Sequence, residues 1–148
     1  MKIRHLCMYL AGQIGLMMMV RFLLQWIIRF ATTTSDAVGG GELTALFSAS
    51  AMGAVMLGFR IFDGFTDPIS GAISDRWVAR GRQRRHLLWY SFWIPALGLI
   101  CSFAPNHDMG EAVKWTVVMV GLFVFFVGYT LYCIPYWSLI SDYAQGNE

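Results

Sequence analysis

Three charges inside one hydrophobic run constrain this chain more than any other feature. Arg60, Asp63 and Asp67 interrupt an apolar stretch that begins near Leu43, and five arginines follow within ten positions: Arg76, Arg80, Arg82, Arg84 and Arg85. A soluble domain places such charges on a solvated face. Here hydrophobic residues make up 57% of the chain and charged residues only 14%, against about 25% charged in an ordinary globular domain. Long apolar runs with sparse charge describe a chain dissolved in lipid. The fold class is therefore all-α: a polytopic membrane protein with four transmembrane helices in a single transmembrane region spanning 1–148.

Taken in order, the apolar segments run over about 6–30, 43–74, 87–104 and 112–140. In the first, Arg21, Gln25 and Arg29 recur every four residues and share one helix face. That face is expected to point toward other helices, with Arg29 reaching the far interface. A cleaved signal peptide is the competing reading, but the stretch is too long for its apolar region. Residues 31–42 (ATTTSDAVGGGE) form a polar, glycine-rich loop. At about 1.5 Å per residue, the second segment would span about 48 Å against a hydrocarbon core of about 30 Å, so it must tilt or protrude. Ser48, Ser50, Gly53 and Gly58 offer small residues for close helix packing. The third segment is interrupted by Pro95. The fourth ends in Tyr129, Tyr132, Tyr136 and Trp137. The last two fit an interfacial aromatic belt, and Tyr129, lying deeper, is expected to face a cavity.

Basic residues set the orientation. Lys2, Arg4 and the five clustered arginines lie on one side, whereas only Arg29 and Lys114 lie on the other. The positive-inside rule then places both termini in the cytoplasm, in the plasma (inner) membrane, and makes the arginine cluster a cytoplasmic loop rather than a nucleic-acid patch. Cys7, Cys101 and Cys133 form no CxxC, and His5, His86 and His107 show no ligand spacing. Neither a disulfide framework nor a zinc site is suggested. No cofactor motif and no catalytic constellation occurs, so the chain does not read as an enzyme.

The buried charges demand a reason. At 100° per residue, Arg60, Asp63, Asp67, Ser70, Gly71 and Ser74 fall on one helix face. Each charge at the helix centre costs about 2.5–3.5 kcal/mol on insertion scales, and carboxylates at i and i+4 repel. Arg60 can neutralise one of them. The second needs a proton, a metal cation or a residue on another helix. A static salt bridge, for example to Arg21, is one reading. A cation site is the other, with acidic oxygens from Asp63 and Asp67 and a hydroxyl at Thr66 between them.

These same residues resemble the major facilitator superfamily. Gly71-Ala72-Ile73-Ser74-Asp75-Arg76, followed by Gly81-Arg82, is similar to the loop motif between that fold's second and third helices. Arg60-Ile61-Phe62-Asp63, then Thr66-Asp67-Pro68-Ile69 and Gly71, resembles the helix-two pattern of the glycoside–pentoside–hexuronide:cation symporters. Tyr129-Thr130 with Ile134-Pro135-Tyr136-Trp137-Ser138 resembles their fourth helix. The resemblance implies that Asp63, Thr66, Asp67 and Thr130 bind a coupling cation, H+ or Na+, with Na+ at Asp63 and Asp67. It implies that Arg60, Tyr129 and Trp137 lie along the solute pathway, and that Gly71, Asp75, Arg76, Gly81 and Arg82 form a loop governing conformational switching.

The chain departs from the family pattern at two places. Cys133 stands where an acidic residue often precedes the Ile-Pro-Tyr-Trp run, and Leu16 or Met17 stands at the acidic sugar-binding position of the first helix. Proton coupling or a different substrate is favoured by those changes. Family members hold substrate between two six-helix halves, of which this chain corresponds to the first four helices. The expected function is cation-coupled symport of a sugar or related small solute by a transporter of which this is an N-terminal portion, needing C-terminal helices or a partner subunit. Its partners are then membrane lipids, a sugar-like solute and the coupling cation, with no nucleic acid. The alternative is a small four-helix membrane scaffold or accessory subunit.

Overall fold

The computed structural model describes residues 3–32 and 45–145, and every described element is helical. α1 spans Ile3–Thr32, α2 Ala49–Ala79, α3 Arg84–Ser91, α4 Trp93–Ser102 and α5 Glu111–Gln145. α5 is the central element, with α2, α3 and α4 packed against it and α1 lying on α2. By length and composition, two described helices are apolar enough to cross a membrane, α1 over Leu6–Thr32 and α5 over Glu111–Ser141. The loop expected over 31–42 falls mostly outside the described residues; Ala31 and Thr32 close α1.

The core follows from helical spacing. Leu16, Val20, Leu23 and Ile27 recur at intervals of three and four on one face of α1, and all are buried. They meet Met52, Met56 and Phe59 of α2 and Val118, Leu122, Phe125 and Phe126 of α5 in one cluster. Phe59 stacks on Phe126 at 5.3 Å between ring centroids. The segment entering α2 is tied back to α1 where Phe47 N–H donates to the Ala31 carbonyl (3.0 Å).

Several boundaries differ from those expected. The second segment starts later than residue 43 because Ser48 caps α2: its hydroxyl accepts from Ala51 N–H at 3.3 Å. It also runs beyond residue 74, through Asp75, Arg76 and Trp77, to Ala79. The helix stops where Gly81 adopts φ +74°. Gly81 N–H donates to Val78 O (2.8 Å) and Arg82 N–H to Trp77 O (3.4 Å), a Schellman motif closing the last turn. The arginine cluster is thus mostly helical, with Arg76 in α2 and Arg84 and Arg85 in α3, rather than one loop. The third segment, expected over 87–104, is two helices joined at Phe92 and ending at Ser102. Pro95 has no N–H for the Ser91 carbonyl four residues back, so the helix breaks there.

Close packing also sits elsewhere than expected. Gly53 and Gly58 have open space where a Cβ would stand. The close approach is between α4 and α5. A Cβ at Gly121 would lie 2.6 Å from the Ser102 nitrogen, one at Gly128 2.6 Å from the Pro95 nitrogen, and one at Gly98 would strike the Phe125 backbone. Arg21, Gln25 and Arg29 do share a face of α1, but that face is exposed rather than turned toward the other described helices. Tyr136 is buried and stacks on Tyr9 (4.9 Å, interplanar angle 8°), so it is an interhelical contact and not part of an interfacial belt.

Candidate functional site

The charged stripe of α2 is hydrogen-bonded to α5 at Thr130. Thr130 is 2% exposed. Its hydroxyl donates to Asp63 Oδ1 at 2.7 Å, and its backbone carbonyl accepts from the Ser70 hydroxyl at 2.9 Å. Asp63 and Ser70 are two helical turns apart, so this pair of hydrogen bonds sets the register of α2 on α5. The other carboxylate oxygen of Asp63 faces Arg60, with Nη1 to Oδ2 at 3.8 Å. That pair is unequal in exposure: the Asp63 side chain is 16% exposed and that of Arg60 48%. Asp63 is therefore a carboxylate drawn into the helix interface, with a hydroxyl on one oxygen and a guanidinium at the outer limit of pairing on the other.

Asp67, one turn further along, is exposed and takes no ion pair or hydrogen bond from a described residue. Arg21 is not its partner, nor that of Asp63, among the described residues. Thr66 does not bridge the two carboxylates. Its hydroxyl donates to the backbone carbonyl of Asp63 at 3.0 Å, and its side chain borders a small groove of about 130 Å³ with Ile69, Ile73 and Val127. The arrangement supplies oxygen donors of the kind that hold hard cations or a shuttled proton: two carboxylates and a hydroxyl from a neighbouring helix.

The three residues expected along a solute pathway are not gathered at one place. Arg60 stands beside Asp63. Tyr129 is buried in the apolar cluster, stacked on Phe125 at 5.9 Å between centroids. The sequence pattern of an aromatic near the middle of a span does not distinguish packing from a cavity wall. Trp137 lies two turns along α5, where its indole N–H donates to Gln13 Oε1 at 3.1 Å and links α5 to α1. An unforeseen cavity of about 290 Å³ opens nearby, walled by Gly12, Gly15 and Leu16 of α1, Phe92 and Pro95 at the helix break, and Tyr132. Two glycines three apart facing a proline-broken helix were its sequence signal.

The loop motif resolves into separate structural parts. Gly71 lies close enough to Ile134 that a Cβ would sit 3.9 Å from its methyl group. Gly81 supplies the left-handed turn. Arg82 places its guanidinium 4.7 Å from the ring centroid of Trp77, whose indole N–H donates to Gln83 O (3.2 Å). Arg76 is exposed. Asp75 pairs with Arg84 at 3.0 Å, and Arg84 reaches on to the Ser138 carbonyl of α5 at 3.4 Å. Arg84 is thus the arginine that joins α2, α3 and α5. Five arginines in ten positions gave no way to single it out.

A family model described as MFS/sugar transport protein matches residues 8–148, nearly the whole chain. The chain belongs to that family. Membership sets it among transporters rather than enzymes. Among curated proteins it is similar to YnaJ of Bacillus subtilis (strain 168), named as an uncharacterized symporter, with 36% identity over 103 residues, covering 68% of this chain and 22% of that protein. The isoprimeverose transporter of Lactiplantibacillus pentosus is 30% identical over 103 residues, covering 68% and 21%. An uncharacterized symporter of Synechocystis sp. is 28% identical over 156 residues, covering 95% and 25%. The matched region spans about a quarter or less of each relative's length. No solved structure gives a significant match.

Proposed function

We propose that these helices are the first four membrane spans of a cation-coupled secondary transporter for a sugar-like solute, with both termini in the cytoplasm and α3 and α4 together forming the third span. Asp63 and Asp67 of α2, with Thr130 of α5, form the coupling-cation site. One observation carries this reading: Thr130 on one helix donates to Asp63 on another, while Asp67, one turn away, is left open. The symporter and isoprimeverose-transporter names of the relatives support the coupling and the solute class. Further helices complete the solute site, as in relatives several times longer than the matched region.

The test is uptake by the intact protein in proteoliposomes, driven in turn by a sodium gradient and by a proton gradient. Asp63→Asn and Asp67→Asn each remove the response to whichever gradient drives the wild type. Undiminished gradient-driven uptake in both variants would show that the coupling site lies elsewhere.

A further inference from the structure

The end of α2 and the start of α3 form two recesses that share one wall, Arg82. The first, of about 470 Å³, is lined by Trp77, Arg82, His86 and Tyr90. The second, of about 540 Å³, runs from Arg82 past Arg84 and Arg85 to the apolar side chains of Val78 and Leu139. Trp77 holds the first recess in shape. Its indole N–H donates to the Gln83 carbonyl (3.2 Å), the Tyr90 ring meets it edge-on at 6.4 Å between centroids, and the Arg82 guanidinium lies 4.7 Å from its ring centroid. A guanidinium resting on an indole keeps its N–H donors at the edge of its own plane, where an oxygen anion can take two of them.

Charge at this end of the bundle is unbalanced. From Arg76 to His107 the sequence holds five arginines and no carboxylate, and Asp75, just before, is taken by Arg84 at 3.0 Å. Arg82 and Arg85 have no ion pair with a described residue. Tyr90, in the wall of the first recess, also begins an apolar stripe. Tyr90, Trp93, Leu97 and Ile100 recur at intervals of three and four, and all are exposed. Phe92, where α3 gives way to α4, keeps helical dihedrals (φ −55°, ψ −39°), so the face of one helix runs on into the other. A ligand that fits both parts is amphiphilic, with an anion in the recess and hydrocarbon along the stripe.

We propose, resting on the membrane placement in the reading above and not on its cation site, that Arg82, His86 and Arg85 hold the headgroup phosphate of an anionic phospholipid of the cytoplasmic leaflet. Its acyl chains lie along Tyr90, Trp93, Leu97 and Ile100. Basic pockets between spanning helices on the cytoplasmic side are suited to such headgroups. A zwitterionic lipid brings the same phosphate with an ammonium attached, and that ammonium meets arginines here and no open carboxylate.

The experiment is native mass spectrometry of the purified intact protein, titrated in detergent with dioleoyl phosphatidylglycerol or dioleoyl phosphatidylcholine. The wild type holds one phosphatidylglycerol about tenfold or more tighter than phosphatidylcholine. Arg82→Gln removes most of that preference while leaving phosphatidylcholine within about twofold, and Arg82→Lys, which keeps the charge without the planar fork, retains part of it. Arg80→Gln, at an exposed arginine outside both recesses, leaves the preference unchanged. The inference is overturned if the two lipids bind alike, or if Arg82→Gln preserves the preference. It is equally overturned if Arg80→Gln weakens phosphatidylglycerol as much as Arg82→Gln does, which marks diffuse charge rather than a site. Displacement of the lipid by millimolar inorganic phosphate also overturns it, because the recess is then a site for soluble phosphate. Lipid binding needs neither transport nor a gradient, so this inference and the uptake test of Asp63 and Asp67 can each fail alone.

Discussion

α5 packs against two neighbours by opposite means. Toward α4 it presents Gly121 and Gly128, and α4 answers with Gly98, so that backbone meets backbone and no side chain fits between. Toward α2 it presents Thr130, and the contact is a pair of hydrogen bonds to Asp63 and from Ser70. Lipid tails are as apolar as leucine, so burying apolar surface does little to join helices there; close van der Waals contact and interhelical hydrogen bonds do that work. The glycine seam fixes one helix pair by shape and holds no charge. The polar seam is looser in shape and holds the carboxylate. In the proposed transporter the two seams divide the labour: one does not deform, and the other has contacts that can be exchanged for an ion.

The largest effect should come from filling the glycine seam. Gly98→Val puts a branched side chain against the Phe125 backbone, which cannot move aside as a side chain would, and overpacking of this kind costs about 3 kcal/mol. Denaturant unfolding in detergent reads it. Gly53→Ala is the control, because its Cβ enters open space; it stays within about 0.5 kcal/mol. Equal effects at both positions would mean that the seam is not where close packing matters.

Thr130→Val comes next. It keeps the side-chain shape and leaves Asp63 Oδ1 without its buried donor, at a cost of about 2 kcal/mol. In the transport assay it should also weaken cation dependence more than it weakens solute affinity. A variant as stable as the wild type, with unaltered cation dependence, would reduce the Thr130–Asp63 contact to coincidence. The smallest effect belongs to Ser70→Ala, which removes one neutral interhelical hydrogen bond, a contact worth about 0.6 kcal/mol in membrane proteins. Were Ser70→Ala to cost as much as Thr130→Val, charge would not be what distinguishes the two bonds.

Much of this was legible in the residues. The helical character, the shared face of Asp63 and Asp67, the approach of Thr130 and the pairing of Arg60 with Asp63 follow from hydropathy, spacing at three and four, and the two motif matches. What was misjudged turns on which way a face points. Gly53 and Gly58 looked like packing glycines and face open space, whereas Gly98, Gly121 and Gly128, equally visible, make the seam. Arg21, Gln25 and Arg29 looked like a polar face seeking other helices and lie outside the described bundle. Tyr136 looked interfacial and stacks on Tyr9 from a helix more than a hundred residues away in sequence.

The amino-acid sequence by itself determined the local terms: which stretches are helical, where Ser48 begins α2 and Gly81 ends it, where Pro95 breaks a helix, and which residues share a side. Those depend on neighbours within a few positions, through backbone hydrogen bonds and 3.6-residue periodicity. Only the tertiary structure decided which arginine of the cluster meets Asp75, which glycines touch a neighbouring backbone, and which side of α1 is covered. Those depend on the rotation of one helix about its axis relative to another. Periodicity defines a face without saying what it faces, because that is set by the competing fits of every other helix at once.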